Sequence, residues 1–194
     1  MKVAVIDYGA GNVKSVSIAL DRLGVANVLT DDPQQIRSAS HVIFPGQGTA
    51  GMAMQKLKSK ELDRLLPTLK QPVLGICLGL QLLFEHTDEG FVAGLGIIKG
   101  QVKRFEGALK IPQMGWNQLT TLNGPLFEGI ASGTYMYLVH SYYAPIVPET
   151  TGVAFYGLDY SVAVQKDNFY GVQFHPEKSG MAGRCLLQNF LKLR

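Results

Sequence analysis

Gly75-Ile76-Cys77-Leu78-Gly79 follows the apolar run 73–76 and leads into a further apolar stretch. A glycine on either side of a nucleophile, at the junction of a strand and a helix, forms an elbow of the G-x-nucleophile-x-G kind, here built on cysteine. The backbone of such a turn is strained, and side chains at the flanking positions would collide with neighbouring chain. The turn lifts the sulfur to the carboxyl end of the sheet, where open α/β sheets bind ligands. A helix N-terminus beside it favours the thiolate, the form that covalent amide cleavage requires. Taken alone, Cys77 is equally well read as a small core residue; the two glycines favour the elbow. Cys185 lies in an apolar helical pattern and is read as core.

A cysteine nucleophile needs a base. Phe174-His175-Pro176-Glu177 closes a strand-like run. Residues two apart on extended chain share a face, and Pro176 holds His175 extended, so His175 and Glu177 can lie side by side. His175 would take the thiol proton and return it to the leaving nitrogen, and Glu177 would fix the imidazole tautomer. A lone histidine at a strand end is more commonly just a hydrogen-bonded side chain, and the acidic neighbour is what raises His175 above that. His41 and His140 lack such a neighbour, and His86, with Asp88 two residues on, does not close a strand-like run.

Pro45-Gly46-Gln47-Gly48 follows another apolar run. By itself it reads as an ordinary tight turn. Beside the elbow, its backbone N–H at Gln47 and that of Leu78 would form an oxyanion hole. Gly46 can take positive φ, so a flip of the Gly46–Gln47 peptide could gate that hole. Gln81 lies one helical turn past Cys77 and faces either the pocket or solvent. His140-Ser141-Tyr142-Tyr143 offers hydroxyl and backbone groups at another strand end. Asp7-Tyr8-Gly9-Ala10-Gly11-Asn12 is no dinucleotide fingerprint, because the third glycine position falls on Lys14.

The elements that must position these residues follow from periodicity. Residues 3–6, 27–30, 41–44 and 73–76 read as buried strands. Residues 13–23, 33–38, 52–69 and 79–85 read as the helices between them, with Gly24 a stop and Asp32-Pro33 a start. This alternation predicts a parallel α/β sheet. Residues 97–105, 133–139, 153–156, 161–166 and 169–174 read as short strands added antiparallel at the sheet edge, and 180–193 as a last helix. Repeats and linkers are lacking, so residues 1–194 are expected to form one domain.

Composition narrows the function. Apolar residues make up 46% and charged residues 17%, a globular balance. The net charge of +3 is spread without a basic–aromatic block, which argues against nucleic acid. Two cysteines and four histidines, none at ligand spacing, predict no metal. Few cysteines and a chain that enters a strand at Lys2 point to the cytoplasm, and the longest apolar run, 73–84, is too short to cross a membrane.

Together these residues resemble the triad class of glutamine amidotransferases over nearly the whole chain. Within that class they are most similar to the glutaminase subunits of imidazole glycerol phosphate synthase. The elbow through Gln81 and the His-Pro-Glu are shared across the class. The Asp-Tyr-Gly opening, Met114-Gly115-Trp116-Asn117 and Lys178 favour these subunits. The resemblance implies a central mixed sheet with flanking helices, and no cofactor. It implies Cys77 as nucleophile, His175 as base and Glu177 as orienter, with Gln47 and Leu78 as oxyanion donors. Gly48, Gln81, Ser141 and Tyr142 would contact glutamine. Asn12, Trp116, Asn117, Tyr137 and Lys178 would lie at or near the interface with a (β/α)8-barrel cyclase. That partner would use the ammonia to make imidazole glycerol phosphate and an aminoimidazole carboxamide ribonucleotide. Gln47 departs from the valine expected in many relatives, which a backbone donor tolerates. A stand-alone cysteine amidase or peptidase, a glutaminase of another synthase and a non-catalytic binding module remain as alternatives.

Overall fold

A computed structural model describes residues 2–9 and 12–194; Ala10 and Gly11 of the predicted opening turn lie outside them. In chain order the strands are β1 (Val3–Ile6), β2 (Asn27–Thr30), β3 (His41–Gly46), β4 (Val73–Cys77), β5 (Phe84–Thr87), β6 (Val92–Ala93), β7 (Ile98–Arg104), β8 (Gln113–Leu122), β9 (Tyr135–His140), β10 (Tyr142–Tyr143), β11 (Thr150–Phe155), β12 (Asp159–Lys166) and β13 (Phe169–Val172). The helices are α1 (Val13–Asp21), α2 (Pro33–Ser38), α3 (Ala50–Ser59), α4 (Leu62–Leu65), α5 (Leu78–Gln81) and α6 (Gly180–Lys192).

Nine strands form the main sheet in the order β2-β1-β3-β4-β13-β12-β11-β8-β9. The first five run parallel and the remaining four continue antiparallel. Strands β1, β3 and β13 are buried along their whole length, as a sheet covered on both faces requires. The pleat divides the core. Ala4 and Ile6 face α2, α3 and α4 through Ile36, Met54, Leu57 and Leu62. Val3 and Val5 face α1 and α6 through Val16, Leu20, Leu187 and Phe190.

Four expectations are corrected. The predicted strand 169–174 is not an antiparallel addition at the edge: as β13 it pairs parallel with β4 inside the main sheet. The predicted helix 52–69 is two helices, α3 and α4, separated at Glu61, whose φ is 56°. The predicted helix 79–85 stops after one turn at Gln81, and Phe84 begins strand β5. The predicted strand 97–105 does not extend the main sheet. It is β7 of a separate four-stranded sheet, β10-β7-β5-β6, which packs over one face through Phe84, Ile98 and Val102. Strand β8, which carries Met-Gly-Trp-Asn, is an element that periodicity does not reveal.

Candidate active site

Strands β4 and β13 are parallel neighbours, with Gly75 opposite Gly171 and Ile76 opposite Val172. Their carboxyl ends therefore deliver Cys77 and the 173–177 run to the same edge. Cys77 sits at φ 56°, ψ −110°, a conformation that non-glycine residues avoid. The flanking glycines are required by close approach. A Cβ on Gly79 would lie 2.0 Å from the Phe44 carbonyl oxygen, and one on Gly75 would lie 2.7 Å from that of Gly79. Helix α5 has four residues, so it aligns few peptide dipoles, and its main service is to turn the chain.

His175 is 7% exposed. Its Nδ1 lies 2.9 Å from Glu177 Oε1, and the Glu177 side chain is 1% exposed. A carboxylate only accepts, so Nδ1 carries the hydrogen and Nε2 is the atom free to exchange a proton. Among the described residues Nε2 and Glu177 Oε2 have no hydrogen-bond partner. Burial lowers the His175 pKa, but Cys77 and Glu177 outweigh it, and the imidazole is raised to about 9. The thiol faces the Val139 carbonyl oxygen at 3.7 Å.

A cavity of about 300 Å³ opens on Cys77 and His175. Its wall includes Gln47, Gly48, Leu78, Gln81, Ser141 and Tyr142, so every residue expected to contact substrate or oxyanion lines one space. Gln81 faces this wall rather than solvent: it is 4% exposed and donates to the Tyr142 carbonyl at 3.0 Å. Gly46 pairs with Cys77 in the sheet and is not in the left-handed region. The glycine with positive φ in this loop is Gly48, at 91°.

Of the expected interface residues, Asn12 and Lys178 reach the cavity rim. Trp116, 56% exposed, stacks edge-on against Tyr137 at 6.2 Å, and Tyr137 lies 6.5 Å from the His175 ring. Lys178 Nζ stands 5.8 Å over the Tyr137 ring. Asn117 is apart from this group: its amide donates to the Phe155 carbonyl. Two residues of the site lack a motif. Glu89 is the only carboxylate lining the cavity among the described residues; it accepts from the Ala50 N–H at 2.8 Å, and burial raises its pKa. Gln173 is fully buried against Cys77 and Gln81. Its only sequence signal is a polar residue in a buried run, two before His175.

Residues 4–193 match the model of the family described as Glutamine amidotransferase class-I. The chain belongs to the class-I glutamine amidotransferase family. This amidotransferase is 50% identical to the imidazole glycerol phosphate synthase subunit HisH of Bacteroides thetaiotaomicron, covering 100% of both chains. It is 47% identical to the HisH subunit of Yersinia pseudotuberculosis, again covering 100% of both. Among solved structures, PurLQS from Thermotoga maritima superposes with a TM-score of 0.74 at 18% identity, covering 98% of this chain and 97% of that one. A glutamine amidotransferase from Thermotoga maritima gives 0.69 at 15%, covering 99% and 96%. These last two establish the fold alone.

Proposed function

We propose that this amidotransferase is the glutaminase subunit of an imidazole glycerol phosphate synthase, one domain spanning residues 1–194. It hydrolyses glutamine and passes the ammonia to a cyclase subunit. The observation that carries the chemistry is the meeting of Cys77, on its strained elbow, with the His175–Glu177 pair in one cavity. Identity with HisH subunits over the full chain supports the pathway.

The reaction follows from the placement. The Cys77 sulfur attacks the side-chain amide carbon of glutamine, and its proton resides on His175 Nε2. Charge develops on the carbonyl oxygen, where the Gln47 and Leu78 amides act as donors. His175 gives the proton to the leaving nitrogen as the C–N bond breaks, releasing ammonia and leaving a thioester on Cys77. His175, now neutral, takes a proton from water as water attacks the thioester. The C–S bond breaks, glutamate leaves, and thiolate and imidazolium are restored. Glu177 holds the imidazole and balances its charge. Gln81, Gly48, Ser141 and Tyr142 orient glutamine, and Glu89 supplies a carboxylate for its ammonium group.

The partner in this reading is a (β/α)8-barrel cyclase in a heterodimer, docking near Asn12, Trp116, Tyr137 and Lys178 with Asn117 at the margin. The compartment is the cytoplasm, with neither nucleic acid nor membrane as partner. The described residues contain no helix long and apolar enough to cross a membrane. The test is glutamine turnover and imidazole glycerol phosphate synthesis with the cyclase present. Cys77→Ala should lose glutamine-dependent synthesis by about 10⁴-fold or more and keep synthesis from added ammonia. Retained glutaminase activity would remove Cys77 as nucleophile, and turnover indifferent to any cyclase would favour a stand-alone amidase.

A further inference from the structure

Gln173 has no role in the reaction as written above, yet its position is costly to fill with an amide. It is 0% exposed, as are Val172 and Phe174 on either side of it. An apolar side chain of similar size would pack there with no hydrogen bonds to satisfy. What the amide does is set by its neighbours. Gln173 Oε1 accepts from Gln81 Nε2 at 3.0 Å, and Gln173 Nε2 lies 3.6 Å from Cys77 Sγ.

The direction of this relay is fixed. Gln81 Nε2 also donates to the Tyr142 carbonyl at 3.0 Å, and a backbone carbonyl only accepts. Gln81 must therefore turn its NH2 towards Tyr142, which leaves its second N–H for Gln173 Oε1. Gln173 must then present its own NH2 to the sulfur. Reversing either amide would set two acceptors, or two donors, against each other.

We infer that Gln173 is a positioning residue for the nucleophile, its side-chain N–H held on the Cys77 sulfur by the relay from the Tyr142 carbonyl through Gln81. The inference rests on the reading of Cys77 as nucleophile. A donor aimed at sulfur favours the anion over the thiol. The thiol has an acceptor of its own in the Val139 carbonyl; the anion has none to use and gains the Gln173 N–H. The titratable groups around the sulfur are His175 with its partner Glu177, Tyr8, and, around the cavity, His140, Tyr142, Glu89 and the cation Lys178. His175 gains and loses a proton in each turnover, whereas Gln173 donates throughout. The relay also ties Gln81, a substrate contact in this reading, to the atom that attacks the substrate.

The test is the rate of Cys77 alkylation by iodoacetamide against pH, with the modified peptide quantified by mass spectrometry so that Cys185 is not counted. Gln173→Met keeps the length and removes the N–H; Gln173→Glu keeps the shape and replaces the donor with an acceptor. Alkylation should slow several-fold in Gln173→Met, which removes the N–H on the sulfur, and further in Gln173→Glu. In the complex with the cyclase, kcat for glutamine should fall by a similar factor and KM by far less. A wild-type alkylation profile in folded Gln173→Met overturns the inference. Should the variants not fold, the wild-type chain decides. The side-chain ¹⁵N–¹H resonances of Gln173 should titrate with the midpoint of Cys77 alkylation and stop doing so in Cys77→Ala; resonances indifferent to Cys77 overturn it. An active Cys77→Ala would instead refute the nucleophile itself, so the two failures are distinct.

Discussion

Gly46 illustrates how position, rather than chain flexibility, sets the demand for glycine. A Cβ there would meet Gly79 N at 2.7 Å, Leu78 Cβ at 2.7 Å and Leu78 C at 3.0 Å. Ordinary contact at such a site begins near 3.4 Å, so Gly46→Ala must part strand β3 from the elbow by roughly 0.7 Å. Both proposed oxyanion donors, at Gln47 and Leu78, lie next to that contact. Losing one donor typically costs about 10²–10³ in turnover, or roughly 3–4 kcal/mol, and a displacement of about 1 Å can cost a comparable factor. Gly46→Ala should therefore lower kcat for glutamine by about 10²-fold. Overpacking should cost about 1–3 kcal/mol of stability, and ammonia-dependent synthesis by the complex should survive. The comparison is Gly48→Ala, where φ is +91° but nothing lies within 4 Å: it should cost about 1–2 kcal/mol through backbone strain and disturb the elbow less. Steady-state glutaminase assays of both variants with the cyclase, alongside thermal melts, make the comparison. Wild-type kcat in a folded Gly46→Ala would refute the proposal that this close approach sets the oxyanion geometry.

Glu177→Gln should lower kcat less than Cys77→Ala does, because it weakens the hold on His175 without removing the nucleophile; combining it with His175→Asn should cost less than the two losses added, as measured in a double-mutant cycle. Lys178→Ala removes a charge from over Tyr137 and should reduce glutamine-dependent synthesis more than ammonia-dependent synthesis, with the melting temperature nearly unchanged. With His175 raised to about 9, kcat/KM should decline on the alkaline side through about that pH, as the proton meant for ammonia is lost. Buried His140 goes the other way: burial lowers it from 6.5 to about 4, with the Tyr142 carbonyl opposing and His175 adding to the shift. Its contribution to stability is full above pH 6.5 and is lost as pH falls towards 4. The loss is on the order of 3 kcal/mol, and urea melts at pH 7 and 4.5 should show it smaller in His140→Gln.

The proposed triad of Cys77, His175 and Glu177 is readable because its signals are local. Gly75, Gly79, Pro176 and the His-x-Glu spacing each fix geometry within a few residues, and the parallel strands announce themselves as unbroken apolar runs. Strand β8 is not readable: Gly115 and Asn117 are poor strand formers, and only Gln113 and Leu119 along it are buried. The run 82–84 is apolar throughout, so helix and strand give the same pattern there, and β5 reads as helix. The break at Glu61 lacks a glycine, although Pro67 is a sign that one helix cannot run through. Gln173 and Glu89 gain their meaning only from strand pairing and loop packing, which bring Gln81, Tyr142 and Ala50 to them from distant parts of the chain. Gly46 reads as a hinge, because sequence shows the freedom of a glycine and not what crowds it.

The seat of β13 between β4 and β12 has a consequence for the order in which the molecule can come into being. Strand β4 lies mid-sheet, but one of its neighbours, β13, comes far later in the chain. A chain emerging from the ribosome therefore carries the proposed nucleophile, Cys77, long before the proposed base, His175, and one edge of β4 stays unpaired until residue 172 has been made. Such an edge invites wrong partners, so truncation ahead of β13 should yield insoluble fragments rather than smaller enzymes. Activity thus waits for β13 and the run that follows it, and a subunit that stops short of them has no means of releasing ammonia that nothing is present to receive.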